Sequence, residues 1–144
     1  MPVAWEFRHH LLVVILIGDY DFDAPKRAVL EAIADPAFQP GTMLVIDARL
    51  SAARRSSDDF RERAVWMASL TERGFADRFA LVINSQAHQF GMARMAAAHV
   101  EMRGMELGIF GALESASEWL LGRAPSKGVA GPGDLGEQTR TSSA

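Results

Sequence analysis

A run of seven aliphatic residues near the start of the chain dominates its hydrophobic pattern. Residues 11–17 read LLVVILI and are followed by Gly18-Asp19-Tyr20. The run is too short to cross a membrane and is rich in β-branched side chains. It predicts a β-strand that is buried on both faces at the centre of a helix-covered sheet. Because a shorter strand-like segment precedes it at residues 3–7, we expect an antiparallel hairpin to open the sheet.

Strand-like and helix-like segments alternate along the rest of the chain. The first helix is predicted to begin at Asp23 as N-cap, with Pro25 in its first turn, and to end before Pro36. The pattern continues with strands at residues 42–46, 78–84 and 105–110 and with helices at 56–73, 85–103 and 111–121. This order predicts an α/β fold with a mixed, mostly parallel sheet and four main helices.

The composition separates a folded domain from a tail. Residues 1–122 contain nearly all of the large apolar side chains, and a segment of this length suits a single domain. Residues 123–144 are rich in Gly, Pro, Ser and Thr and have almost no large apolar side chain. Such a segment buries too little surface to offset the entropy of ordering, so we expect a disordered tail.

Charge and cysteine content exclude several classes of function. The net charge is −3, with acidic and basic residues interspersed, so nucleic acid is not expected as the main partner. The longest apolar run has only seven residues, so no membrane insertion is expected either. The chain has no cysteine, which excludes disulfides, zinc–thiolate sites and thiol catalysis. Residues 1–6 lack the basic and then apolar order of a signal peptide, so we expect a cytoplasmic, soluble protein.

Polar side chains follow two neighbouring predicted strands. Open α/β sheets bind ligands beside the carboxyl ends of their strands, where these side chains would meet. The candidate ligand or partner site comprises Asp47, Arg49, Asn84, Ser85 and His88, with Tyr20 nearby if the hairpin permits.

This crevice has little support as an active site. No Gly-x-Ser-x-Gly motif surrounds Ser85, and no second histidine or carboxylate is spaced to orient His88. Helix capping by Asn84 and Ser85 is the most economical interpretation, ligand binding the next and catalysis the least favoured. We therefore predict that the protein is not an enzyme.

The helix predicted near residues 87–103 is apolar on two sides. One side carries Phe90, Ala93, Ala97 and Val100. The opposite side carries Met92, Met95, His99 and Met102. A helix with two apolar sides packs on two surfaces, and the sheet takes one of them. The methionine side is predicted to contact a neighbouring helix, a protein partner or second copy in a homodimer, or a flexible apolar ligand.

Three further motifs have local interpretations. Ser56 and Ser57 stand between Arg54-Arg55 and Asp58-Asp59, where a helix cap is favoured over a phosphorylation site. The adjacent histidines at 9 and 10 would point to opposite faces of a strand, so no metal site is expected. The glycine at 18 lacks the further glycines of a phosphate-binding loop, and no cofactor is predicted.

An ordered set of segments carries a resemblance to a known family. The segments are residues 11–19, 35–41, 44–47, 74–75, 78–82, 91–95, 110, 116 and 119–120. Together, over residues 3–121, they resemble the SpoIIAA-like family, relatives of the STAS domains (sulphate transporters and anti-sigma factor antagonists). The resemblance implies a small α/β sandwich and a non-catalytic role. Antagonists of that family carry a phosphorylatable serine in an Asp-Ser-Ser/Thr-Gly setting, whereas Asp47 is followed here by Ala-Arg-Leu.

Three functions follow from these observations. The preferred one is a non-enzymatic, SpoIIAA-like or STAS-type regulatory or protein-interaction domain, which forms a homodimer or binds a protein through the side carrying Met92, Met95 and His99. The alternative is a small apolar or lipid-like ligand-binding protein. The third is an enzyme that uses Asp47, Ser85 and His88.

Overall fold

The computed structural model describes residues 2–52, 56–84 and 87–122, except for the side chains of residues 87–90 and 99. The elements in chain order are β1 (Val3–Arg8), β2 (Leu11–Gly18), α1 (Ala24–Ile33), β3 (Thr42–Ser51), α2 (Ser57–Ser69), β4 (Phe75–Val82), α3 (Ala87–Glu101), β5 (Glu106–Phe110) and α4 (Leu113–Leu120). A short 3-10 turn, Leu70–Arg73, continues α2. The predicted fold class and element order are confirmed.

The five strands form one sheet in the order β1-β2-β3-β4-β5. The pair β1–β2 is antiparallel, and the remaining pairs are parallel. Each parallel connection steps one strand in the same direction, and right-handed crossovers then place their helices on one face. Side chains of α1, α2 and α3 accordingly share one core cluster, whereas α4 packs in a second cluster on the other face.

The aliphatic run forms β2 and is buried as predicted. The side chains of Leu11 to Val14 are almost inaccessible to solvent, because β2 lies between β1 and β3 with helices on either face. The middle strand of the sheet is β3, however, and β2 is second from the edge. Ile17, at the end of the run, is 42% exposed, so burial stops before the strand does.

The hairpin turns at the two histidines. His9 and His10 lie between β1 and β2, and His9 adopts a left-handed conformation with φ of 57°. Histidine is among the few residues other than glycine that are enriched in that region. The predicted opening hairpin is thus confirmed. The premise that the two histidines point to opposite faces of a strand is wrong, because both lie in the turn.

Asp23 is the N-cap residue of α1 and Pro25 lies in the first turn, as predicted, but the Asp23 side chain makes no capping hydrogen bond. The strand β3 does not end at Asp47 but continues to Ser51. Asp47 and Arg49, both within this strand, form an ion pair that compensates the buried carboxylate.

Residues 53–55 and the predicted tail at 123–144 lie outside the described residues. Within the described part of the chain, none of the helices combines the length and the apolar character that spanning a membrane would require.

Candidate functional site

Asp47 and Arg49 form a closed ion pair near the carboxyl end of β3. The Arg49 side chain donates from Nε to Oδ1 of Asp47 at 3.0 Å and from Nη2 to Oδ2 at 2.8 Å. The backbone N–H of Arg49 donates to Oδ1 as well, at 3.1 Å. Asp47 is almost fully buried, and the Arg49 side chain is 36% exposed. Both oxygens of the carboxylate are therefore occupied by one neighbour.

The electrostatics of the pair keep both groups charged. Burial by itself raises the pKa of Asp47, but the hydrogen bonds and the charge of Arg49 outweigh it and lower that pKa below its ordinary value. The hydrogen bond to Asp47, with the nearby charges of Asp47 and Glu114, raises the pKa of Arg49. A carboxylate with a lowered pKa is a poor general base at neutral pH.

Asn84 joins this pair from the neighbouring strand. Asn84 lies just past the end of β4, and its Nδ2 donates to the backbone carbonyl oxygen of Arg49 at 2.9 Å. The sequence predicted Asp47, Arg49 and Asn84 at one edge of the sheet, and the structure brings the three together. Ser85 and the side chain of His88 lie outside the described residues.

Tyr20 lies on the opposite face from this polar group. Asp47 is in register with Ile15 and Val82, whose side chains pack in the cluster on the α4 face. Tyr20 instead packs against the core under α1–α3, and its hydroxyl accepts a hydrogen bond from Ser51 at 3.0 Å. The expected proximity of Tyr20 to the crevice is wrong, because the sheet separates the two.

The methionine side of α3 is largely exposed. On α3 itself Met95 is 63% exposed and Met92 is half-buried, and Met102, in the turn directly after the helix, is 85% exposed. The other side of the helix is buried through Ala93, Ala96, Ala97 and Val100. The side chain of His99 is outside the described residues. The interpretation of this side as filler against a neighbouring helix is therefore wrong for Met95 and Met102.

Ser56 caps α2, and its hydroxyl oxygen is engaged in the cap. Its Oγ accepts from the backbone N–H of Asp59 at 3.1 Å, and the Asp59 carboxylate accepts from the backbone N–H of Ser56 at 3.0 Å. This reciprocal pair is the predicted capping box. Ser57 is the exposed first residue of the helix. Arg54 and Arg55 lie outside the described residues.

A second polar cluster has no counterpart among the sequence predictions. Lys26 on α1 and Arg63 on α2 both lie beside the rings of Phe22 and Trp66. No spacing rule links these four residues, because they come from a loop and two different helices. The one local signal is the spacing of Arg63 and Trp66, which puts both on one side of α2.

Comparisons with known proteins bear on the fold. No protein-family model and no curated protein matches the chain. A solved structure matches 82% of this chain and 91% of its own, with a TM-score of 0.50 and 16% sequence identity. It is an uncharacterised protein of the DUF3478 family from Shewanella loihica PV-4, described as having a SpoIIAA-like fold. The resemblance inferred from the sequence is thus confirmed for the architecture: the chain has a SpoIIAA-like fold.

Proposed function

We propose that the protein is a non-enzymatic interaction module that associates with a second copy of itself through the methionine side of α3. The observation that carries this proposal is the exposure of Met95 on α3, a helix whose other side is buried, together with that of Met102 in the turn directly after the helix. Methionine adapts its shape to a partner surface, and exposed methionines are typical of binding faces.

The state of the polar crevice supports a role other than catalysis. The carboxylate of Asp47 is held by Arg49 through both oxygens, and its pKa is lowered. A general base needs an available carboxylate whose pKa lies nearer to the working pH. An enzyme at this crevice therefore has little support.

The apolar-ligand alternative also has less support than association. The space between the sheet and helices α1–α3 is occupied by large side chains that are fully buried, among them Phe79, Leu44 and Leu70. Protein interiors pack at crystal-like density, so a ligand there would have to displace these groups. Native mass spectrometry of the purified protein tests this alternative through co-purified small molecules.

Light scattering over a dilution series tests self-association directly. The wild-type chain is expected to change from dimer to monomer mass as it is diluted. The double variant Met95→Lys/Met102→Lys places charges on the proposed interface and is expected to stay monomeric. The control is Leu50→Lys, which alters an aliphatic residue on β3 that is 65% exposed and leaves α3 unchanged.

Two results would overturn the proposal. One is a monomer mass at every concentration of the wild-type chain. The other is a dimer that persists unchanged in the double variant. Circular dichroism of each variant shows whether the fold is intact.

A further inference from the structure

We propose that a cluster of two cationic and two aromatic side chains, from α1, from α2 and from the loop before α1, binds a small molecule that combines one anionic group with an aromatic ring. This cation–aromatic cluster consists of Phe22, Lys26, Arg63 and Trp66. The ammonium nitrogen of Lys26 lies 5.9 Å from both ring centroids. The guanidinium carbon of Arg63 lies 4.6 Å from the Phe22 centroid and 5.9 Å from that of Trp66. Two cations thus share the same two rings.

Arg63 is held in place before any ligand arrives. Its Nη2 donates to the backbone carbonyl oxygen of Phe22, which ties α2 to the loop that precedes α1. Its guanidinium also lies over the Phe22 ring. A guanidinium held in this way keeps a fixed orientation, which lowers the entropy lost on binding an anion.

The negative charge next to Lys26 is weak. Among the described residues, the carboxylate within ion-pair distance of Lys26 is that of Asp23, at 3.9 Å, and the Asp23 side chain is 61% exposed. An exposed pair at this distance contributes little. The neighbouring Arg27 is paired more closely, at 3.1 Å from Asp21. An anion between Lys26 and Arg63 would be attracted by two positive charges in a partly buried site.

The position of the cluster agrees with ligand binding. Phe22 follows the carboxyl end of β2, Lys26 lies in the first turn of α1, and Arg63 lies on the helix that follows β3. The crevice beyond the carboxyl ends of parallel strands is where open α/β sheets hold ligands. The cluster is on the three-helix face, whereas Asp47 and Arg49 are on the α4 face, so the sheet separates the two sites.

The side chains define the chemistry of the ligand. Guanidinium and ammonium groups together favour a carboxylate or a phosphate, and Arg binds either through two parallel hydrogen bonds. The rings of Phe22 and Trp66 favour an aromatic group in offset or edge contact. The ligand class is therefore an aryl carboxylate or an aryl phosphate monoester.

Calorimetric titration of the full chain tests the site with four probes. Benzoate and phenyl phosphate carry the predicted chemistry, while cyclohexanecarboxylate and inorganic phosphate lack the aromatic ring. We expect saturable binding of at least one aryl probe and weaker binding of its counterpart without the ring. The stronger aryl probe identifies the anionic group.

A matched pair of variants assigns the binding to the cluster. Lys26→Gln removes a charge from the cluster and is expected to lower the affinity for the aryl probe about tenfold, because one charge-assisted contact is lost. Arg27→Gln removes the same charge from the adjacent residue, which is paired with Asp21, and is expected to leave the affinity within about twofold. Trp66→Leu is expected to reduce the preference for aryl probes.

Three outcomes would overturn the proposal. The first is the absence of saturable binding for all four probes at millimolar concentration. The second is an equal loss of affinity in Lys26→Gln and Arg27→Gln, which would indicate an unspecific charge effect. The third is equal affinity for phenyl phosphate and inorganic phosphate together with equal affinity for benzoate and cyclohexanecarboxylate. Thermal unfolding of each variant separates lost binding from lost folding.

Discussion

Arg49 neutralises Asp47 from a position two residues further along the same strand, and it occupies both oxygens of the carboxylate. The pair explains how an almost fully buried aspartate is accommodated in the middle strand of the sheet. The sequence indicated these two residues as candidates for binding a ligand, whereas in the structure they bind each other.

Removing Arg49 should therefore destabilise the protein. Arg49→Met leaves the buried carboxylate without its partner, and we expect a loss of about 2 kcal/mol in the free energy of unfolding, measured by urea denaturation. The double variant Asp47→Asn/Arg49→Met removes the uncompensated charge and should recover most of this loss. Equal stability of wild type and Arg49→Met would contradict the structural role.

The pair also predicts a pH dependence of stability. Because the pKa of Asp47 is lowered in the folded state, its ionised form stabilises the fold above the ordinary value of 3.8. That contribution is lost as the pH falls through the lowered pKa. The difference in unfolding free energy between wild type and Asp47→Asn should be full at neutral pH and shrink in acid. A difference that is independent of pH would count against this assignment.

The capping box predicts unequal effects for two adjacent serines. Ser56→Ala removes the hydroxyl that accepts from Asp59 and should cost about 1 kcal/mol of stability. Ser57→Ala changes an exposed residue in the first turn and should have an effect below about 0.5 kcal/mol. Denaturant unfolding of both variants checks the difference, and similar losses would show that the cap is not the cause.

Burial along β2 predicts a gradient of sensitivity within one aliphatic run. Leu12 is fully buried, and Leu12→Ala should cost about 3 kcal/mol through lost burial and a cavity. Ile17 is 42% exposed, and Ile17→Ala should cost about 1 kcal/mol or less. Chemical denaturation measures both. Equal losses would mean that the end of the strand is buried in solution.

Gly108 on β5 is required by its aromatic neighbours. A Cβ at this position would lie 2.6 Å from Cε2 of Phe110 and 3.0 Å from Cζ3 of Trp119, so one of these rings must move. Gly108→Ala should therefore cost about 1–3 kcal/mol by overpacking. Gly111→Ala is the control, because a Cβ there would have no neighbour within 4 Å among the described residues. Thermal unfolding of both variants tests the contrast, and equal losses would show that the rings do not restrict position 108.

Local patterns were sufficient for the elements and their order. The apolar run at residues 11–17 predicted β2, and the spacing of Ser56 and Asp59 predicted the capping box, because both signals arise within a few residues of chain. The hairpin at the start and the parallel strands after it followed from the alternation of segments. The resemblance to the SpoIIAA-like family then indicated the architecture.

The candidate site was predicted only in part. Because Asp47, Arg49 and Asn84 follow neighbouring strands, the sequence predicted that they meet at one edge of the sheet. It did not predict that Asp47 and Arg49 neutralise each other. The exposure of Met95 depends on which side of α3 the sheet takes. The contact of Lys26 with Trp66 depends on how two helices lie beside each other.

The sequence alone determined the kind, number and order of the elements, since hydrophobic periodicity and capping act between near neighbours in the chain. Tertiary structure decided that β3 is the middle strand, that α4 covers the second face in the described part of the chain, and that the Lys26–Arg63 cluster exists. These features depend on contacts between segments far apart in the chain. Several arrangements of the elements are compatible with the same sequence pattern, and side-chain packing selects one of them.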